Sequence, residues 1–329
     1  RCTNPPHFRQ NEGACYADCL LQVHRSTSRL CSIGDPFRDS SHVPFDPIPL
    51  HGKGELSTGQ WLNIIEQLGD LGCIQINITG GEPLMRRDIG VIIENVHLHG
   101  MRVSLNTNGH LVEQNLNVVS MVDQLTLSLD GPPKVHDGIR GSGSHDIVLN
   151  AARLARECRI PITFYTVLTC DNLDHLDYIL STARRLEGRV VFQPGTTGKL
   201  YGCIHNPKAP DIAAYREAID HIIRRSRQAE PIGNSIAGLR YLRNWPDPAP
   251  IACLGHRLFC RVEADGNLRI CGLENVDNRI SVVSLGLEEA IKRLPKPDCA
   301  ACWSAARVEF HMLVSGRPSA IRNYLRRGV

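Results

Sequence analysis

No uninterrupted apolar run in the 329-residue chain approaches the roughly 18–20 residues that a membrane-spanning helix needs. The N-terminal segment also lacks the apolar core of a signal peptide. A cytoplasmic protein without a membrane partner is the expectation. Excess charge of one sign is missing too. Thirty-seven Lys and Arg against 34 Asp and Glu leave a formal charge of +3, which is no footprint for a polyanion, so nucleic acid is not an expected partner. Low-complexity tracts and short-period repeats are absent, and 42% apolar with 22% charged residues excludes a disordered chain. Nor is there a GxSxG or an HExxH, and "GSGSHD" is not a GxGxxG directly after a strand. An ordinary hydrolase or dinucleotide-binding enzyme is therefore disfavoured.

Cysteine, by contrast, is plentiful. Thirteen is an odd number, which argues against a fully paired disulfide scaffold, so their grouping matters more than their count. Cys73, Cys158 and Cys170 stand singly among apolar neighbours and read as small core residues. Cys253, Cys271, Cys299 and Cys302 cluster late in the chain. The length suits one large domain with a smaller appendage. Arg1 rather than Met stands first, so the natural start is expected upstream.

From about residue 55 helical and strand patterns alternate. "STGQWLNIIEQLGDLG" opens on Ser57 as a helix cap, spaces Trp61, Ile64, Ile65 and Leu68 for one helical face and stops at Gly72. "CIQINIT" follows as a strand, then "DIGVIIENVHLHG" and "MRVSLNTNG", then "LVEQNLNVVSMV" and "QLTLSLDG". "HDIVLNAARLARECR" leads to "PITFYTVLT", and "LDHLDYILSTARRLEG" to "RVVFQPG". Such alternation means parallel strands with right-handed crossovers, an α/β barrel or open sheet. Cys19 to Arg25 is a candidate opening strand, and "DPFRDSSHVPFDPIPLHGKG" reads as a long loop. Late in the chain, "GHRLFCRVEADGNLRIC" has two apolar runs about Asp265-Gly266 and predicts a hairpin, with Cys260 in mid-strand as packing.

Ligands of such sheets gather where strands end at their C-terminal edge. There the chain places "TGGEP", "NTNG", "SLDGP", "TCDN" and "QPGTTG" in succession. One such loop would be an ordinary turn; five favour a site.

"TGGEPLMRRDI", "SLNTNG", "SLDGPPKVHDGIRGSGSHDIVLNAA" and the late cysteines together resemble the radical S-adenosylmethionine (SAM) superfamily, in the branch with a SPASM or twitch extension. The likeness covers roughly Leu56 to Trp303. It implies a partial, six-unit (β/α) barrel, TIM-like, whose mouth holds a [4Fe-4S] cluster and SAM. It implies three parts: an atypical segment over 1–55, the core barrel over 56–240 and a twitch-like auxiliary cluster domain over 241–329. By the resemblance, the turn Gly80, Gly81, Glu82 and Pro83 receives the amino end of the cofactor's methionine. Glycines let the backbone come close there, and a carboxylate can complement an ammonium group. Ser128 and Asp130 would face ribose and methionine, Arg140 would hold the methionine carboxylate, and Asn106 and Asn108 would lie at the pocket's edge. For Arg140 the alternative is a surface salt bridge.

Cys253, Cys271, Cys299 and Cys302 are what an iron–sulfur cluster or a structural zinc demands. Their order resembles the twitch form with one auxiliary [4Fe-4S] cluster, and spacing alone leaves zinc open. The core motif departs from the family pattern. Where three cysteines are expected as CxxxCxxC, Thr27, Cys31 and Gly34 stand, and neither threonine nor glycine offers an anionic soft donor to iron. Three readings are open: a cluster rebuilt from Cys31 with Cys15 and Cys19, a pseudo-enzyme that keeps the pocket without cleaving SAM, or an altered sequence over the first 55 residues. An active member would form a 5'-deoxyadenosyl radical that modifies a peptide or small metabolite, fed by a reductant such as flavodoxin or ferredoxin. The alternative is a non-catalytic SAM-pocket protein. Cys203 is a candidate quenching thiol, while His136 and Asp137 read as loop structure.

Overall fold

Ser57 begins the first helical unit. Its Oγ accepts from the Gln60 amide and Gln60 Oε1 accepts from the Ser57 amide, a reciprocal cap on α1 (Thr58–Asp70). Trp61, Ile64, Ile65 and Leu68 form its buried face, as their spacing predicts. The computed structural model describes residues 54–195, 208–228, 230–247, 249–255, 257–270, 280–296, 299 and 301–326, with the backbone alone for 18–22. Cys2, Cys15, Thr27, Cys31, Gly34, Cys203 and Cys271 lie outside them.

Six parallel strands follow chain order: β1 (Asp18–Gln22), β2 (Gln75–Thr79), β3 (Arg102–Thr107), β4 (Gln124–Ser128), β5 (Ile162–Leu168) and β6 (Arg189–Pro194). The crossovers carry α2 (Ile89–Leu98), α3 (Leu116–Val119), α4 (Pro133–Arg140), α5 (Ser144–Glu157) and α6 (Leu176–Arg185). The α/β architecture is thus the expected strand-helix alternation, with two local differences. "LVEQNLNVVSMV" makes only the single turn α3. Asn115 Nδ2 donates to the Leu111 carbonyl and Ser120 Oγ to that of Asn117, side chains competing for acceptors that a longer helix would use. The segment after "SLDG" forms α4, begun by Pro133 and ended at Gly141 with φ 103°, the Pro-in, Gly-out asymmetry of helix ends.

After β6 come α7 (Ile212–Ser226), whose Asp211 cap accepts from Ala213 and Ala214 amides at 2.9 and 3.1 Å, and α8 (Ile236–Leu242). The predicted hairpin is present as β7 (Phe259–Val262) and antiparallel β8 (Asn267–Arg269), with Gly266 at φ 82° in the turn. β7 runs parallel to β1, and β9 (Ile280–Ser281) completes one nine-stranded sheet. Cys260 is buried on β7, its Cα in register with that of Cys19. Then α9 (Val282–Leu285) and α10 (Leu287–Lys292) return to the first helix, where the Leu287 amide donates to Gln67 Oε1 at 2.7 Å. The chain continues through α11 (Ala305–Val314) and α12 (Pro318–Leu325).

Two cores hold these parts together. The larger takes Ile76 and Ile78, Val103 and Leu105, Leu125 and Leu127, Phe164 and Phe192 from alternate strand positions, and packs them on the helices. The smaller joins Val191 of β6 to Leu242, Val308, Met312 and Ala320, with Tyr165, Cys302 and Trp303 packed against it. Val191 and Tyr165 have the opposite strand parity, so α8, α11 and α12 close over the other face of the sheet at its β5–β6 end.

β6 is an edge strand whose outward amides are all accounted for. The Val190 amide donates to the Pro231 carbonyl at 2.7 Å, and the Phe192 amide to Asn234 Oδ1 at 2.8 Å. Asn234 Nδ2 returns a bond to the Phe192 carbonyl at 3.0 Å, and Pro194 has no N–H. No helix among the described residues is long and apolar enough to cross a membrane.

Candidate functional site

Strand alternation makes the site. The parity opposite the large core carries Asn77 and Thr79 on β2, Ser104 and Asn106 on β3, Thr126 and Ser128 on β4. A parallel sheet covered by helices on both faces is apolar on both. This one is polar on its second face over β2 to β4, as the lumen of a partial barrel that admits a polar ligand would be. Asn106 is in register with Thr126, and Ser128 with Tyr165.

At the rim above β2 and β3, Gly80 takes φ 154°, open to glycine and strained for other residues. Glu82 follows and is 7% exposed. Its carboxylate, expected to face a ligand ammonium, accepts from three donors of the protein: the Leu84 amide (3.1 Å), Thr107 Oγ1 (2.8 Å) and the Asn108 amide (2.9 Å). Glu82 therefore fastens the glycine turn to the loop after β3. Burial pushes its pKa up, against the pull of these three donors. Asn108 Oδ1 in turn accepts from the His110 amide at 3.0 Å.

Below this turn lies a buried ion network that sequence reasoning missed. Arg86 meets Asp88 through two contacts, Nε to Oδ1 at 2.7 Å and Nη2 to Oδ2 at 2.8 Å. Thr58 Oγ1 donates to the same carboxylate and Glu55 stands 3.5 Å from Arg86 Nη1. Burial opposes the charge on Asp88, but Arg86 and Thr58 outweigh it and hold the group below the usual carboxylate range. The adjacent charges of "RRD" beside an apolar turn were the available signal.

Above β4, Asp130 and Arg140 come together. The Asp130 carboxylate, 1% exposed, accepts from Arg140 Nε at 2.7 Å and from the Val167 amide on β5 at 3.2 Å. Arg140 keeps a quarter of its side chain exposed, and its partner is buried. Arg140 does form a salt bridge, with a buried carboxylate rather than one at the surface. Gly131 adopts φ 149°, and a Cβ there would lie 2.9 Å from Val135 Cγ1. The Asp137 carboxylate accepts from the amides of Gly143 (2.7 Å) and His145 (2.8 Å), so it caps α5. These amide bonds, with Ser144 and His136, outweigh the effect of burial and keep its pKa low.

Cysteines divide differently from the sequence reading. Cys73 is buried and Cys158 half-buried, but Cys170 is exposed just past β5, its Sγ 3.6 Å from Asp171 Oδ1. It lies beyond the strand's last core residue, where period-two burial no longer applies. Cys253 and Cys302 are half-buried and Cys299 exposed. The Cys302 amide donates to Tyr241 Oη at 3.0 Å. Among the described residues no three His, Cys, Asp or Glu side chains stand close enough to hold a metal ion, and Cys271 lies outside those residues.

Comparison with known proteins identifies the frame. Residues 40–183 match the family model of the radical SAM superfamily. That segment is a radical SAM domain. The chain is 30% identical over 191 residues to the PqqA peptide cyclase of Streptomyces rochei, covering 55% of this chain and 52% of the relative. It is 28% identical over 235 residues to that of Rhizobium meliloti (strain 1021), covering 69% and 62%. With the mycofactocin maturase MftC of Mycobacterium tuberculosis (strain H37Rv) identity is 35% over 138 residues, 40% of this chain and 35% of the relative. The chain thus spans about half to three-fifths of the length of the two cyclases. Among solved structures, Streptococcus suis SuiB bound to S-adenosylmethionine superposes with TM-score 0.57 at 14% identity, over 82% of this chain and 62% of that one. Native anSMEcpe with bound AdoMet and Cp18Cys peptide gives 0.60 at 15%, over 93% and 98%. At these identities the likeness is one of fold, the partial barrel.

Proposed function

We propose that the chain is a radical SAM protein that binds SAM at the C-terminal rim of β2 to β5 and modifies a peptide in the cytoplasm, with a small electron donor such as flavodoxin or ferredoxin. The observation that carries the SAM pocket is the Asp130–Arg140 pair on the polar side of the sheet, after β4 at the same strand ends as the Gly80 turn after β2, with β3 between them. The residues fit that ligand chemically. A part-exposed guanidinium anchored on a buried carboxylate suits the methionine carboxylate. Gly80 and Gly81 suit close approach of its amino end, with Glu82 supplying a nearby negative charge while it clasps the two loops. Asn106, Asn108, Ser128 and the Pro83 turn complete the rim. A reduced [4Fe-4S] cluster with SAM would supply the radical chemistry; the chain's own residues would bind and orient SAM and exclude water.

A peptide substrate is favoured by the relatives, whose names specify a PqqA peptide cyclase and a mycofactocin maturase. Residues 56–240 form the core in this reading and 241–329 the twitch-like unit. Cys31 is the proposed remaining core thiolate. Cys253, Cys271, Cys299 and Cys302 are the proposed auxiliary ligands, but the three that are described do not fit one metal in their present arrangement, and no step is routed through an auxiliary cluster. Thr27 and Gly34 at two core-ligand positions favour a second reading, a non-catalytic SAM-pocket protein.

Anaerobic reconstitution with iron and sulfide, iron counting and assay of 5'-deoxyadenosine with dithionite and SAM separate the two. About four or more irons per chain with 5'-deoxyadenosine release supports the enzyme. SAM binding without release supports the second reading, and no SAM binding defeats both.

A further inference from the structure

Arg140 sits one helical turn after a second buried group on α4. His136 is 1% exposed, and its Nδ1 accepts from the Asp130 amide at 3.2 Å. Asp130 is therefore held from both ends, its main chain by His136 and its carboxylate by Arg140 and the Val167 amide. An imidazole accepts at Nδ1 only when neutral, with its proton on Nε2. His136 Nε2 is buried without a hydrogen-bond partner. The charged or titratable groups facing the ring are Asp130, Asp137, Arg140 and His145, the last at 5.9 Å between centroids. His145 itself shares a 2.9 Å hydrogen bond with Tyr178 Oη. Gly131, tight against Val135, leaves the loop little room to adjust.

We propose that His136 is a positioning residue of the SAM pocket: by accepting the Asp130 amide it fixes the loop from which Asp130 aims Arg140 at the carboxylate of SAM. The role rests on the reading of the pocket given above. It requires no contact between His136 and SAM. It also distinguishes the two ring nitrogens, because only an acceptor at the Nδ1 position serves it.

That distinction is the test. Binding of SAM to the full chain is measured by equilibrium dialysis for the wild type, His136→Asn, His136→Gln and His136→Leu, with circular dichroism as the folding control. Asparagine places an acceptor near Nδ1 and glutamine places one near Nε2. The expected result is a Kd within about three-fold of wild type for H136N and raised about ten-fold or more for H136Q and H136L, the size of one buried hydrogen bond. His145→Leu removes the other buried ring and leaves the Asp130 amide bond to His136 in place, so it should weaken binding less than H136L does. If H136L does not fold, the asparagine and glutamine variants decide. Equal affinities for those two, or wild-type affinity in a folded H136L, overturn the role of His136 alone. Failure of the wild type to bind SAM overturns the pocket, and this role with it.

Discussion

Asp130 offers two carboxylate oxygens, and the protein uses both, one for Arg140 and one for β5. Asp130→Asn keeps the shape but presents an amide where the charge was, so SAM affinity should fall about ten-fold, measurable by the same dialysis. His136 adds a pH signature. Burial, the largest influence, pulls its pKa from an ordinary 6.5 to about 4. The unfolded chain takes up the proton near 6.5 while the folded chain refuses it. Stability due to this group is full above that pH and falls as pH drops toward 4. Near pH 5.5 the loss is about 1.4 kcal/mol, and H136N should lack it; urea unfolding of both proteins at pH 7 and 5.5 checks this. The residues of the motifs were legible in the sequence because five loops rich in glycine, asparagine or aspartate follow successive strands, where a single one would be an ordinary turn. Their partners were not: Thr107 is 25 positions from Glu82, and no local pattern marks a hydroxyl as the donor to a distant carboxylate.

Elements were legible where one face is apolar, as in α1, and less so where side-chain competition or helix ends decide, as in α3 and α4. The seal along β6 could not have been foreseen, since Asn234 acts on Phe192 across 42 residues. Asn234→Ala would leave a buried amide and a buried carbonyl without partners. A loss of about 2–4 kcal/mol is expected, with hydrogen exchange at the Phe192 amide accelerating to match. Unchanged protection at that amide would show that the side chain does not seal the edge.

Across the whole molecule, the C-terminal helices are tied to the barrel by a small core on the polar side of the sheet. Met312→Ala should cost about 2–4 kcal/mol, and faster exchange should be concentrated in α8, α11 and α12 while α1 keeps its protection. Exchange rising equally in all four would mean that the two cores unfold as one. Barrel and hairpin were legible from alternation and from Asp-Gly. Their union in one sheet through β7 and β1 was not, because parallel neighbours 241 positions apart leave no spacing to read.

The border strand has a consequence for traffic. With Val190 and Phe192 already engaged and Pro194 having no hydrogen to offer, no guest strand can zip onto that flank. On the proposed reading, the peptide substrate therefore does not reach the site by adding a strand to β6.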